Sequence, residues 1–269
     1  MSEKSYISDI KPHKMYKNLY FVGSTEVSVH LIDTADGLVI IDTGYPHMYG
    51  TILDSIAYLG FDPARITAIF HSHGHYDHIG GTIRLKQLSG ARTYISREDN
   101  DIVNGKLDLS WANEFGVPHL EYFDCDVLVE DGDEFTFGDT RVRCRLTPGH
   151  TPGVLSFFIT FPDGVVAAMH GGVGMDSMRA EILNRYGLSF KYRDIFREGL
   201  HTLAEEHVDL VLGNHPYQND TRGKLAKLER GESILDRTGG EWLSFLRSTE
   251  RELDEMIKND TENTDDGKK

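Results

Sequence analysis

The chain has 269 residues, 39% of them apolar, which is enough to bury a large core within one compact domain. Its 28 Lys and Arg stand against 43 Asp and Glu, and the formal charge of -15 argues against a nucleic acid as substrate because phosphate would be repelled. No stretch approaches the roughly 20 apolar residues of a membrane helix, and residues 1–25 are interrupted by charge where a signal peptide needs an apolar run. We therefore expect a cytoplasmic protein that does not enter a membrane.

The first half of the chain predicts a β-meander followed by helices and strands. From Asn18, the segments LYFVG, VSVHLID and GLVIID alternate or run apolar between turn signals, as antiparallel strands do. Helical spacing follows over 47–59, and ITAIF at 66–70 predicts a short buried strand that ends directly before a group of histidines. The remaining elements of this half are a helix, a strand and a helical or irregular segment at 79–89, 91–95 and 98–115.

The second half repeats the theme of strands followed by a helix. The elements predicted here are strands at 125–130, 134–137, 140–146, 154–160 and 164–169, a helix at 191–206 and a strand at 208–213. Two sheets packed face to face with helices outside would bury the apolar faces of both halves, so we expect the α/β class and an αββα sandwich. An amphipathic helix near the C-terminus completes a single domain over 1–258, and 259–269, which has no apolar group, is expected to be a disordered acidic tail.

The strongest motif is HSHGHYDHIGG at 71–81, directly after an apolar strand. Within it, His73, His75, Asp77 and His78 fit the pattern H-x-H-x-D-H. Imidazole and carboxylate are ligands of borderline-soft divalent ions, and the glycines of this segment allow a tight path around one or two ions. A surface loop that happens to be rich in His, or a helix cap made by Asp77, is the ordinary alternative. The further histidines downstream favour a metal site.

This motif resembles that of the metallo-β-lactamase superfamily, and other segments resemble the family's remaining landmarks. GLVIID ends at Asp42, where the family has an acid that supports the metal site. TPGHTPG carries His150 on a Gly/Pro loop, and VLGNHPYQND carries His215 just after a buried strand. A turn Asp and core or capping histidines are the ordinary alternatives. The resemblance extends from about Tyr16 to Tyr217 and implies the metallo-β-lactamase fold.

The resemblance implies a site for two Zn²⁺ ions. One ion would be held by His73, His75 and His150, and the second by Asp77, His78 and His215. Both ions would keep open positions, so that a bound water with its pKa lowered to about 7 supplies the hydroxide that attacks an amide or ester carbonyl. Asp77 would orient this nucleophile and carry its proton to the leaving group, which makes Asp77 the candidate catalytic residue.

Three more residues lie beside the ligands in the sequence. His71 ends the strand before the motif, and we interpret it as a structural or supporting residue. His170 stands where many family members have a bridging Asp, and it touches a metal, holds the substrate or fills space. Asp176 is a candidate substitute for that acid, although a loop role is the simpler interpretation. Tyr76 and Tyr217 are close to ligands in sequence and are not assigned a catalytic role.

The family contains several reactions, so departures from its pattern matter. The chain most resembles the third subclass of metallo-β-lactamases, whose second zinc is held by Asp and two His without Cys. The missing bridging Asp argues against glyoxalase- and lactonase-type sites. After the strand where that subclass has serines that hold the substrate carboxylate, this chain has GGVGMDS at 171–177, with only Ser177 nearby. The carboxylate anchor is therefore lost or changed, with Lys191 or Arg193 as candidate replacements.

We therefore expect a zinc hydrolase that cleaves an amide or ester of a small-molecule substrate, with a β-lactam as one candidate. A lactonase or thioesterase that uses the same metal pair is the enzyme alternative. A non-catalytic zinc-binding module is the alternative from another class. No nucleic acid or membrane is expected as a partner, and no sequence feature indicates an oligomeric state.

Overall fold

The computed structural model describes residues 9–117 and 120–266, with side chains as far as Asp260, and its backbone is built around two β-sheets. The first sheet has seven strands that lie side by side in chain order. They are β1 (His13–Tyr16), β2 (Leu19–Phe21), β3 (His30–Thr34), β4 (Gly37–Ile41), β5 (Ile66–Phe70), β6 (Arg92–Ser96) and β7 (Val127–Val129). The first four form an antiparallel meander, of which β2 to β4 were predicted from the sequence and β1 was not, and β4 to β7 pair in parallel.

The second sheet has five strands in the order β12-β11-β10-β9-β8. They are β8 (Glu134–Phe137), β9 (Thr140–Leu146), β10 (Leu155–Thr160), β11 (Val166–Met169) and β12 (Leu210–Leu212). Neighbours are antiparallel except β11 and β12, which pair in parallel.

The strand predicted at 125–130 was grouped with the second half of the chain, and the structure corrects this. It lies in the first sheet as β7, with Val127 opposite Tyr94 of β6. The carboxylate of Asp126 accepts hydrogen bonds from the backbone N–H of Thr93 at 2.8 Å and from its hydroxyl at 2.9 Å, which fixes this register.

In the described part of the chain, eight α-helices lie outside the two sheets or connect them. They are α1 (Tyr49–Tyr58), α2 (Tyr76–Ile79), α3 (Thr82–Ser89), α4 (Asn100–Val103), α5 (Ala180–Arg185), α6 (Lys191–Leu203), α7 (Thr221–Glu229) and α8 (Gly240–Asp266). Helices α5 and α7 were not predicted from the sequence, and α2 overlaps the helix predicted at 79–89 only at Ile79. Among the described residues, no helix is long and apolar enough to cross a bilayer.

Apolar residues form three principal layers of core. Between the sheets, side chains such as Phe21, Phe70 and Phe157 are fully buried together. On the outer face of the first sheet, Ile52 and Ile56 of α1 and Leu85 of α3 pack against its strands. On the outer face of the second sheet, α6 and α8 pack with residues that include Phe196, Leu200, Trp242 and Leu246. The order helix, sheet, sheet, helix confirms the predicted αββα sandwich.

The last helix is longer than the sequence suggested. The segment 259–269 was expected to be disordered, but α8 continues to Asp266, and residues 267–269 lie outside the described residues. Asp260 accepts hydrogen bonds from the guanidinium of Arg193 on α6 and, at 2.8 Å, from the backbone N–H of Ala180. Because Arg193 is buried and also donates to the carbonyl of Met178 at 2.9 Å, these contacts hold α8 against the loop that precedes α5.

Replacing Asp260 by Ala would leave the buried guanidinium of Arg193 with one partner fewer. We expect the free energy of unfolding to fall by about 1–3 kcal/mol in urea denaturation, since a buried charged donor loses its acceptor. Asp254→Ala is the matched control, because Asp254 pairs with Arg197 on the same pair of helices but is 60% exposed. Its loss should be much smaller. Equal losses in the two variants would contradict the anchoring role of Asp260.

Candidate metal centre

The candidate ligands gather at one edge of the two sheets. Strands β4, β5 and β6 are parallel, so their carboxyl ends lie at the same edge of the sheet. Asp42, His71 and Ser96 stand at these ends and are therefore close in space although far apart in sequence. The second sheet adds a loop before β10 and the segments that follow β11 and β12. A hydrogen bond of 2.8 Å from the backbone N–H of Leu155 to the carbonyl of Ser72 joins the two sheets here.

The structure brings the six predicted ligands together as two groups. His73, His75 and His150 offer ligand atoms that all lie within 4.8 Å of one another, and Asp77, His78 and His215 form a second such group. The groups are adjacent, since the ring centroids of His73 and His78 are 4.3 Å apart. These are the two sets that the resemblance implied.

Hydrogen bonds on the far side of the rings fix which nitrogen faces inward. Nδ1 of His78 donates to the Asp42 carboxylate at 2.8 Å, Nδ1 of His150 to the carbonyl of Gly174 at 2.7 Å, and Nδ1 of His215 to the carbonyl of Glu26 at 2.7 Å. A carbonyl or carboxylate oxygen only accepts, so Nδ1 carries the proton in each case. The Nε2 atoms are therefore directed to the middle of the groups, as in metal sites, and an ion bound there would displace any proton that Nε2 carries.

Three Nε2 atoms of the candidate ligands are buried without a hydrogen-bond partner among the described residues. They belong to His73, His75 and His78. Burial, followed by the neighbouring imidazoles, lowers the pKa of His73 and His75 well below its usual range. Their rings are thus neutral, which is the form that binds a metal. Buried polar atoms without partners are costly, and divalent ions would satisfy all three. Imidazole and carboxylate donors in this number fit ions of the zinc type.

Asp77 and His78 are charged neighbours in the second group. Nε2 of His78 lies 3.3 Å from Oδ2 of Asp77. Burial lowers the pKa of His78, but the carboxylates of Asp77 and Asp42 together raise it to about 10. Burial raises the pKa of Asp77, whereas the imidazole of His78 holds it below its usual range. The carboxylate of Asp77 is therefore ionised, as a ligand or a proton acceptor must be.

Asp42 connects both groups from behind. Its carboxylate accepts from the backbone N–H of Ser72 at 2.7 Å, from the Ser72 hydroxyl at 2.8 Å and from His78. The same hydroxyl lies 3.0 Å from Nδ1 of His73, and because it donates to Asp42 it must accept from the ring. Asp42 is 1% exposed, so one buried carboxylate orients a ring in each group.

Asp99 performs a similar task between two loops, and the sequence analysis did not single it out. Its carboxylate accepts from the backbone N–H of Gly74 at 2.9 Å, from the hydroxyl of Thr151 at 2.6 Å and from the backbone N–H of Gly153 at 2.6 Å. Burial raises the pKa of Asp99 to about 6, although these three donors favour the ionised form. Asp99 therefore ties the loop of His73 and His75 to the loop of His150.

The glycine-rich segment after β11 is packed against a candidate ligand. A Cβ on Gly172 would lie 2.7 Å from Cδ2 of His150, and one on Gly174 would lie 2.9 Å from its Cε1. Only glycine leaves room for the ring at these two positions. The hydroxyl of Ser177 lies 3.0 Å from Nδ1 of the same ring. The segment thus supports His150 and carries no side chain at the positions where the resemblance leads one to expect serines.

The remaining predicted residues lie outside both ligand groups. His71 is buried with its Nε2 3.3 Å from the hydroxyl of Thr82. His170 is buried beside Phe196, and its Nδ1 accepts from the backbone N–H of Gly172 at 3.2 Å. Among the described residues neither belongs to a candidate metal group, so these contacts favour structural roles. The Asp176 side chain is 67% exposed and pairs with Arg179 rather than bridging the groups.

Comparisons with known proteins agree with this geometry. A family model described as the metallo-beta-lactamase superfamily matches residues 22–168, which include every candidate ligand except His215. BJP-1, a subclass B3 metallo-β-lactamase of Bradyrhizobium japonicum, is 25% identical and superposes with a TM-score of 0.83 over 98% of this chain and 100% of that chain. FEZ-1 of Legionella gormanii is 24% identical, with a TM-score of 0.85 over 94% of this chain and 98% of that chain, and this likeness shows a shared fold.

Curated relatives match over shorter segments. A hydroxyacylglutathione hydrolase of Gloeobacter violaceus is 31% identical over 107 residues, which are 39% of this chain and 34% of that protein. The chain spans about a third of the length of this relative and less than half of others at comparable identity.

Replacing Asp99 by Asn would remove the charge that attracts three donors and place an amide N–H₂ against one of them. The two ligand loops would separate, and we expect zinc affinity to fall by about 10- to 100-fold. The measurement is a zinc titration in competition with a chromogenic chelator. Asp209→Asn is the matched control, because Asp209 is equally buried and accepts from the backbone N–H of Val166 in the second sheet. A fall in zinc affinity of equal size in both variants, or in neither, would refute this role.

Proposed function

The chain belongs to the metallo-β-lactamase superfamily, and we propose that it is a hydrolase that uses two zinc ions to cleave an amide or ester bond of a small molecule. The observation that carries this proposal is the pair of adjacent ligand groups with their inward, unpartnered Nε2 atoms. One ion would be held by His73, His75 and His150, and the other by Asp77, His78 and His215.

The ligand groups and their surroundings divide the chemistry between the ions and the protein. When bound, such ions lower the pKa of a coordinated water and polarise a carbonyl oxygen. Asp77 lies at the opening of the site with an ionised carboxylate whose side chain is 14% exposed. Its Oδ2 would orient the attacking water, accept its proton and pass that proton to the leaving group. The rings held by Asp42, Gly174 and Glu26 keep the site in one arrangement, so little reorganisation accompanies the reaction.

Two substrate classes are supported by the relatives. The similar solved structures are named as β-lactamases, and the curated relatives include hydroxyacylglutathione hydrolases. A β-lactam carries a carboxylate that needs a partner, but the residues at 171–174 present glycines and a valine. Arg193, a candidate replacement, is buried and bonded to Asp260 and to the Met178 carbonyl. Lys191 lines none of the cavities at the site. These observations weigh against a β-lactam and favour the alternative of a lactone or thioester, whereas the missing bridging Asp at position 170 weighs against that alternative.

Zinc-loaded protein should hydrolyse at least one of three test compounds, a chromogenic cephalosporin, an acyl lactone or an acyl thioester. Turnover should stop when zinc is chelated. It should fall by more than about 100-fold in His150→Ala, since loss of a ligand costs more than loss of a residue that only supports one. The measurement is kcat/KM for each compound, together with the zinc content of each variant.

The control is His201→Ala, a histidine on α6 whose side chain is 61% exposed and paired with Glu250 away from the ligands. This variant should keep its zinc and its activity. A zinc-replete protein that hydrolyses none of the compounds would favour the non-catalytic zinc-binding module. Activity that survives His150→Ala would place the chemistry elsewhere.

A further inference from the structure

A cavity of about 250 Å³ opens over the candidate ligands, and we call it the mouth. Its floor is formed by four of the ligands, His75, Asp77, His150 and His215. Its walls carry five aromatic side chains, Tyr45, Tyr76, Trp111, Phe115 and Tyr217. A substrate carbonyl that reaches the floor must therefore bring the rest of the molecule into contact with aromatic rings.

The aromatic walls are ordered by contacts with one another and with the ligands. Phe115 stacks on Tyr76 with ring centroids 5.6 Å apart and on Trp111 at 5.8 Å. On the other side, Tyr217 stacks on the His215 ring at 5.5 Å. Phe115 is nevertheless 62% exposed and Tyr217 is 76% exposed. Large apolar side chains left exposed beside a site are a feature of ligand-binding surfaces, because a ligand that covers them removes apolar area from water.

The mouth offers no cationic side chain that lacks an acidic partner, as far as the described residues show. Among the described residues that line it there is no Lys or Arg, and Asp176 is its exposed charged side chain. The arginines on the elements that border it are already paired. Arg179 donates to Asp176 at 2.7 Å, and Arg185 donates to Glu114 at 2.7 Å. His47, which stacks on the outer side of Tyr45, has its Nε2 3.6 Å from a carboxylate oxygen of Glu26.

The ions of the proposed function would add positive charge at the floor, but that is where the reacting carbonyl must lie. A carboxylate elsewhere on a substrate would lose its water and face aromatic rings and the Asp176–Arg179 ion pair, in which the guanidinium already has a partner. Its desolvation would not be offset by a partner. An uncharged aromatic or aliphatic group has no such cost and gains contact area with the walls.

We propose that the mouth selects uncharged carbonyl compounds with an aromatic or aliphatic group, such as esters and acyl lactones, over compounds that carry a carboxylate. This inference rests on the proposed function and names its substrate class. It also gives a physical reason for the absence of a carboxylate-binding side chain at 171–174.

The test compares two compounds of equal chain length, 4-nitrophenyl hexanoate and the mono-4-nitrophenyl ester of hexanedioic acid. They differ by a terminal methyl against a terminal carboxylate. With the zinc-loaded 269-residue chain, we expect kcat/KM to be at least about 10-fold higher for the uncharged ester. Binding of the corresponding anilides is measured separately by quenching of tryptophan fluorescence, which reports on Trp111 in the wall because Trp242, on α8, is fully buried.

The two measurements separate this inference from the proposed function. Tighter binding and faster turnover of the uncharged compound support both. Tighter binding of the uncharged anilide without turnover of either ester supports the selectivity of the mouth and overturns the hydrolase. Equal or tighter binding of the carboxylate compound, or no binding of either, overturns the inference whatever the turnover.

A variant that adds a cation to the rim sharpens the comparison. Tyr217→Arg should raise the carboxylate-to-neutral ratio of kcat/KM by about 10-fold, because the carboxylate then finds a partner. Leu88→Arg is the matched control, since Leu88 is 44% exposed on α3 and does not line the mouth. It should leave the ratio unchanged. The same shift in both variants would mean that the charge of the whole protein, rather than the mouth, sets the preference, and would overturn the inference.

Discussion

Three hydrogen bonds converge on the carboxylate of Asp42 at the end of β4, and the arrangement of the candidate ligands depends on them. Asp42 adopts a left-handed backbone conformation, with a φ of 63°, which is costly for a residue with a side chain. The cost is offset because this conformation turns the carboxylate towards Ser72 and His78. Removing Asp42 would free a ring in each ligand group at once, so the two groups form one unit rather than two independent sites.

Asp99 extends this unit across the gap between chain segments. Asp42 works within the first sheet, where β4 and β5 are neighbours, whereas Asp99 joins the loop after β5 to the loop before β10. Both carboxylates are buried and receive backbone N–H groups, so they satisfy polar groups that the turns would otherwise leave without partners. The loops thus keep the histidines in position, and the two carboxylates keep the loops in position. Neither carboxylate needs to contact a metal to do so.

Sequence reasoning located the candidate ligands because four of them share one short motif and the resemblance supplied the others. Strands β2 to β6 of the first sheet were also predictable, since they have clear apolar patterns and the meander is local. Asp99 was not found, because its partners lie 25 and 52 residues away and no periodicity marks them. A Ser-x-x-Asp sequence directly after a parallel strand was the available signal, with Ser96 and Asp99 in contact. Strand β7 was misplaced for a related reason, because its partner β6 is separated from it by a long irregular segment.

The helices that were not predicted are short or weakly amphipathic, and their stability comes from tertiary contacts with other parts of the chain. The extension of the predicted helix α8 was missed for a similar reason, since a polar residue such as Asp260 in an acidic tail gives no local sign that Arg193 will bind it. The charge composition of a segment describes it in isolation. Whether the segment forms a helix also depends on partners elsewhere in the chain, such as the buried Arg193 that binds Asp260.

The close packing of Gly172 and Gly174 against His150 has a consequence for how this protein can change over generations. A serine introduced at either position would displace a candidate ligand before it could help to hold a new substrate. We therefore do not expect single substitutions of Gly172 or Gly174 to produce a new specificity. The exposed rings of Phe115 and Tyr217 carry no such constraint, so new specificities in descendants of this chain should arise by replacing those rings while the segment beneath them stays fixed.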